Sequence, residues 1–133
     1  MRLLLIGKNG QLGFELRRAL APLGEVFGVD FPECDLAQPA SIQAIVAQVN
    51  PHVIVNAAAY TAVDKAESEP ALARAINAAA PGLLGEAARR IGARVIHYST
   101  DYVYDGAKRT PYREDDATGP LGIYGLTKRD GDA

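Results

Sequence analysis

The chain opens on an aliphatic run, Leu3-Leu4-Leu5-Ile6, that is apolar at every position rather than every second one. A strand covered on one face alternates apolar and polar residues and one covered on both does not, so Arg2 to Ile6 predicts a strand buried between two helical layers. The period then changes. Leu12, Leu16, Ala19 and Leu20 recur at helical spacing until Pro22 and Gly24 stop the pattern. Glu25 to Val29 predicts a second strand ending at Asp30, and Phe31 to Gln38, with Pro32, a loop. Pro39-Ala40-Ser41 opens a second helix whose buried stripe is Ile42, Ile45, Val46 and Val49. Asn50-Pro51 ends it, because proline disfavours the helical conformation of its predecessor. His52 to Val55 predicts a third strand, followed by the small-residue loop Asn56-Ala57-Ala58-Ala59-Tyr60. Ala71 to Ile91 predicts a long helix bent at Pro81-Gly82 and capped by Gly92, and Arg94 to Tyr98 a fourth strand. Ser99 to Gly122 is a polar loop, and Ile123 to Lys128 begins a further helix. Asp130, Gly131 and Asp132 suit a helix C-terminus poorly in propensity and in charge, so this tail is expected to fray.

Strand and helix alternate, which predicts an α/β fold: a Rossmann-type doubly wound parallel sheet with right-handed crossovers and the strand order 3-2-1-4. At 133 residues and 48% hydrophobic content the chain fits a single domain over 1–133 with one core. A formal charge of -2, with Lys and Arg scattered among Asp and Glu, leaves no basic stripe for a phosphate backbone, so nucleic acid is not an expected partner. The apolar N-terminal run is too short for a secretory signal, and no stretch approaches the roughly 20 apolar residues that span a bilayer, so no membrane association is expected. Cys34 is the single cysteine. It can form no disulfide within the chain, a reducing cytoplasm is its simplest setting, and a lone loop cysteine reads as incidental rather than catalytic.

Gly7, Gly10 and Gly13 fall between a predicted strand and a predicted helix, the context in which such spacing has a mechanical meaning. The first permits a tight turn, the second lets a pyrophosphate approach the backbone N–H groups of the helix N-terminus, with Gln11 and Leu12 beside it, and the third allows helix and strand to pack closely. The spacing is GxxGxxG rather than GxGxxG, the form used by short-chain dehydrogenases of the extended type. Asp30, at the end of the second strand, can accept hydrogen bonds from an adenosine ribose; taken alone it favours NAD over NADP, whose 2′-phosphate it would repel. Asp35-Leu36 could reach the adenine edge, although an Asp before a helix serves equally as a turn or cap residue.

Tyr124 and Lys128 are four residues apart, on one face of a helix. Carbonyl reduction needs a proton donor at oxygen while hydride reaches carbon, and an ammonium near a phenol favours its ionised form. Thr100 lies at the C-terminal end of the fourth strand, the rim where open parallel sheets bind ligands, so its hydroxyl can address the substrate oxygen. A Tyr-Lys pair at this spacing is by itself often only exposed; the glycine turn upstream and Ser99-Thr100-Asp101 at a strand end favour catalysis.

Three stretches carry a family resemblance: Gly7 to Gly13 (GKNGQLG), Asn56 to Glu67 (NAAAYTAVDKAE) and His97 to Gly106 (HYSTDYVYDG). Together they resemble the dTDP-4-dehydrorhamnose reductase family of extended short-chain dehydrogenases along almost the whole chain. The resemblance implies reduction of the 4-keto group of a dTDP-linked 6-deoxy sugar to dTDP-L-rhamnose, with NADPH or NADH as cofactor. It assigns Tyr124 as proton donor, Lys128 to the nicotinamide ribose and to tuning Tyr124, Thr100 to the keto oxygen and Asp101 to the sugar. Ala58, Ala59, Tyr60 and Tyr98 would line the cofactor. Glu15 matches a glutamate that takes part in magnesium-linked dimerisation in some members, though simple solvation explains its place equally well and one carboxylate is too few to hold a Mg ion. Family members continue past the Tyr-Lys motif, which implies an incomplete dinucleotide-binding domain here, cut off before its later strands, with the substrate domain absent. An unpaired sheet edge and a homodimer or aggregation are then expected. Two other readings remain open: a non-catalytic nucleotide-binding or regulatory subunit, and another sugar-nucleotide epimerase or dehydratase of the extended type.

Overall fold

A computed structural model describes residues 1–133. Four parallel strands, β1 (Arg2–Ile6), β2 (Glu25–Val29), β3 (Val53–Asn56) and β4 (Arg94–His97), form one sheet. Helix α1 (Gln11–Leu20) joins β1 to β2, and α2 (Pro39–Val49) joins β2 to β3. The β3–β4 crossover holds the short α3 (Val63–Ala66) and then a continuous helix made of α4 (Pro70–Arg74), a π turn over Ala75–Ala79 and α5 (Ala80–Ile91). After β4 come a 3-10 turn at Asp101–Val103, a loop and α6 (Ile123–Asp132).

The spatial order is β2-β1-β3-β4, which corrects the expected 3-2-1-4. The expected order would carry the third strand outward past β2. Instead β3 pairs with the far side of β1, Leu4 opposite Ile54 and Ile6 opposite Asn56. Burial explains the choice. Ile54 and Val55 are sealed on both faces, which suits a central strand, whereas Glu25 of β2 and Arg94 of β4 are exposed and suit edges. Phe31 to Gln38 contributes Cys34 and Leu36 to the core from turns rather than from a strand. The direction in which strands are added therefore reverses between β1 and β3, and right-handed crossovers put α1 on one face and α2 with α5 on the other. The crevice at the carboxyl ends of β1 and β3 is where a doubly wound sheet takes its ligand.

The main core lies on the α2/α5 face, where Leu4, Ile6 and Ile54 meet Ile42, Val46, Leu84 and Ala88. Leu3 and Leu5 point to the opposite face and are equally buried, which is why β1 shows no alternation. The expected long helix runs from Pro70 rather than Ala71, and its distortion is the π turn preceding Pro81. The tail does not fray. Helix α6 continues to Asp132, Arg74 pairs with Asp130 at 2.8 Å, and Asp132 accepts a hydrogen bond from Ser99.

Candidate active site

The glycine turn leads from β1 into α1. Gly7 has φ +87°, and a Cβ on Gly13 would stand 1.8 Å from the Gly7 carbonyl oxygen, so the third glycine sets how closely α1 lies on the turn. Gly13→Ala must push backbone apart; we expect a loss of about 2 kcal/mol in denaturant unfolding. An unchanged midpoint would show that α1 can shift freely. Helix α1 has no side-chain cap and no acid in its first turn, which leaves its first N–H groups open to an anion.

Gly7, Gly10, Gln11, Leu12, Asp30 and Ala58 line a cleft of about 500 Å3, together with Ala59. An adjoining hollow of about 250 Å3 is lined by Asp30, Asp35, Leu36, Ala58 and Ala59. Asp30 is pre-oriented: Oδ2 accepts from the Asn9 N–H and Oδ1 from the Phe31 N–H, both at 2.9 Å. Lys8, beside it, is paired to Glu33.

A third cleft, about 480 Å3, is lined by Asp101, Tyr102, Tyr104, Tyr112, Leu121 and Tyr124. Tyr124 sits near the start of α6, its ring edge-on to Tyr102 with centroids 5.3 Å apart. Thr100 caps the 3-10 turn, its Oγ1 accepting from the Tyr102 N–H at 3.3 Å and lying 3.3 Å from Asp101 Oδ1. Lys128 is 2% exposed; its Nζ donates to the Tyr98 carbonyl at 2.6 Å and lies 3.1 Å from His97 Nε2. Burial pushes this ammonium below the usual lysine range, with Asp132 opposing. Lys128 is thus anchored at the end of β4, one helical turn from Tyr124.

The structure brings the glycine turn, Asp30, Ala58 and Ala59 together, and Asp101 with Tyr124. Other expected residues lie differently. Gly13 packs behind the turn, and Tyr60 turns its hydroxyl to Glu69 Oε2 at 2.6 Å. Tyr98 reaches Lys128 through its backbone, and Leu36 also belongs to the core. Glu15 is exposed and paired with Arg18 at 3.0 Å, and no group of three or more His, Cys, Asp or Glu could hold a metal, so the residues present do not fit a Mg site within this chain. Burial raises the Cys34 thiol above its ordinary value, the opposite of an activated nucleophile.

Sequence reasoning passed over several residues that hold the site. Glu67 Oε1 accepts from the Ile123 N–H at 2.8 Å and so caps α6 from 56 positions away, placing a carboxylate at the positive end of the helix that carries Tyr124. Asn77 is 1% exposed: its Oδ1 accepts from the Tyr60 N–H at 2.8 Å, and its Nδ2 donates to the Tyr60 carbonyl and Thr127 Oγ1. A lone amide in the otherwise small and apolar Ala75-Ile76-Asn77-Ala78-Ala79 was the available signal. His97 is held below its ordinary 6.5 by burial and by Lys128, against Asp132. The unfolded chain therefore binds a proton at His97 below about pH 6.5 that the folded chain does not, so this group leaves stability unchanged above 6.5 and lowers it as pH falls further. Denaturant melts from neutral pH down to about 5 should show the decline, and His97→Gln should flatten it.

The doubly wound sheet thus carries an open helix N-terminus over its switch point, with Thr100, Tyr124 and Lys128 following β4 in the chain. The family model described as RmlD substrate binding domain matches residues 1–133, and the chain belongs to that family. It is 51% identical to a dTDP-4-dehydrorhamnose reductase of Shigella flexneri over 99% of this chain and 46% of that relative. A dTDP-4-dehydrorhamnose reductase from Clostridium acetobutylicum superposes with TM-score 0.95 at 39% identity, over 99% of this chain and 48% of that one. One from Bacillus anthracis, solved in complex with NADP, gives 0.92 at 36% identity, over 98% and 47%. The chain spans about half the length of the relatives it matches. No helix is long and apolar enough to cross a membrane.

Proposed function

We propose that the protein carrying this chain reduces the 4-keto group of dTDP-4-dehydrorhamnose to give dTDP-L-rhamnose with NADPH or NADH, and that this chain supplies the dinucleotide cleft and the proton donor. The observation that carries the reading is an uncapped α1 N-terminus after β1 together with Thr100, Asp101 and Tyr124 following the parallel β4. The named relatives support the choice of sugar nucleotide.

The open N–H groups of Gln11 and Leu12 fit a diphosphate, Asp30 a ribose diol, and the Asp35–Leu36 hollow an adenine. A reduced nicotinamide bound there supplies hydride. Tyr124 then delivers its phenolic proton to the carbonyl oxygen, Thr100 orients that oxygen, and Lys128 is held ready for the ribose by the Tyr98 carbonyl. Because Asp30 would meet a 2′-phosphate as a like charge and Lys8 is engaged with Glu33, NADH serves at least as well as NADPH. The same reading places the protein in the cytoplasm as a homodimer; the free buried Cys34 and the exposed Ile96 on edge strand β4 are consistent with it.

The test is oxidation of NADPH or NADH on addition of dTDP-4-dehydrorhamnose, with the sugar product identified. Stoichiometric oxidation and dTDP-L-rhamnose are expected. Tightly retained NAD without net oxidation would point to an epimerase or dehydratase, and binding without turnover to a regulatory subunit; each sinks the proposal.

A further inference from the structure

The Ala58 N–H can only donate, and it points at Asn56 Oδ1, 3.3 Å away. That fixes the amide of Asn56, whose Nδ2 then faces His97 Nδ1 at 3.1 Å and needs a lone pair there. A neutral imidazole carries one N–H, so a lone pair at Nδ1 puts the hydrogen on Nε2. Nε2 lies 3.1 Å from Lys128 Nζ and 3.8 Å from Asp132 Oδ1. An ammonium has three donors and no acceptor and repels an Nε2–H, whereas a neutral amine can accept from it. In that pattern the chain of bonds Ala58–Asn56–His97–Lys128 carries one proton fewer than a charged Lys128 beside a neutral His97 would bring. When Lys128 takes up that proton, the direction of the hydrogen bonds along the chain is reversed from end to end. Nζ donates to Nε2, Nδ1 carries the hydrogen, the Asn56 amide turns to present Oδ1 to it, and the Ala58 N–H loses its acceptor.

We propose that Asn56 and His97 form a proton-linked switch coupling the charge on Lys128 to the backbone amide of Ala58, and through it to the loop lining the dinucleotide cleft. The strand register supports it, since Asn56 and His97 are direct partners across β3 and β4, and Ala58 belongs to the cleft wall. The groups facing the pair are Lys128 and Asp132 from α6, the latter bonded to Ser99, with Arg129 and Glu114 across a solvent cleft beside His97. Asp132 favours the charged form of Lys128 and burial the neutral one, which leaves the two states open to exchange. The linkage stands on the hydrogen bonds; its bearing on cofactor binding rests on the dinucleotide reading above.

The experiment is heteronuclear NMR of the isotope-labelled chain, without ligand, titrated through the Lys128 step. His52 and His97 are the only histidines, and His97→Gln assigns them. At high pH His97 is expected in the Nε2–H form. On acidification Nδ1 should take the hydrogen, while the Asn56 side-chain and Ala58 backbone resonances shift with the same midpoint. Lys128→Met should abolish the step at all three reporters. Asn56→Asp, whose two oxygens can accept from both Ala58 N–H and Nδ1–H, should hold His97 in the Nδ1–H form throughout. A tautomer that never changes, or an Ala58 resonance that does not follow it, overturns the switch whatever the enzyme assay shows. A coupled step in a protein that reduces no dTDP-sugar upholds the switch and sinks only the functional reading.

Discussion

Tyr124→Phe is expected to bind the reduced dinucleotide as the parent does while turnover falls about 10²–10⁴-fold, the contribution of a positioned general acid. The substitution is conservative because it removes only the phenolic hydroxyl. Tyr124 meets Tyr102 edge-on at 5.3 Å, an arrangement phenylalanine preserves, and α6 is capped through backbone N–H groups that the change does not touch. The walls of the proposed dinucleotide cleft come from the glycine turn, the start of α1, Asp30 and the Ala57–Thr61 loop, and Tyr124 is not among them. Nicotinamide fluorescence titration should therefore give an unchanged Kd beside a collapsed kcat. Parent-level turnover in the variant would remove Tyr124 from the role of proton donor, and a matching loss of affinity would show that it builds the cleft.

Much of this site follows from local chemistry, and that part was legible in the sequence. Strand β1 lies where its uninterrupted apolar run predicts and β2 over the expected Glu25 to Val29, and α2 begins at Pro39 and ends at Val49 because proline presets its first turn and Asn50-Pro51 forbids another. The glycine turn was legible because strand, glycine spacing and helix are contiguous. Sheet order was not, since it depends on which strand β1 accepts on its second edge, a matter of burial between segments 50 residues apart. Third and fourth strand ends were misjudged by one residue each, and that residue matters: ending β3 at Asn56 and β4 at His97 sets the two side chains opposite one another. The Tyr124–Lys128 spacing put both on one helix face but could not show that Lys128 is buried against Tyr98 and His97. Glu67 was invisible for the same reason, being a cap supplied by a distant loop.

The tail was misread because propensity treats Gly131 as a weakness, whereas packing requires it. Pro81 has no N–H, so the Asn77 carbonyl four residues before it loses its helical donor, and the π turn over Ala75–Ala79 makes room for the ring. That carbonyl lies against α6 at Gly131, where a Cβ would stand 2.0 Å from it, while the Asn77 side chain binds Tyr60 and Thr127. One residue thus seats α6 on the long helix and ties both to the loop beside the dinucleotide cleft. Asn77→Ala is accordingly expected to cost about 3 kcal/mol, since the buried donors and acceptors left without partners cost about 1–3 kcal/mol each. Thermal melts should show a fall in Tm of roughly 10 °C. Arg74→Ala is the control: it removes the exposed Arg74–Asp130 pair between the same two helices and should cost under about 1 kcal/mol. If the two variants melt together, water replaces the amide without penalty and Asn77 is not what seats the helix carrying Tyr124.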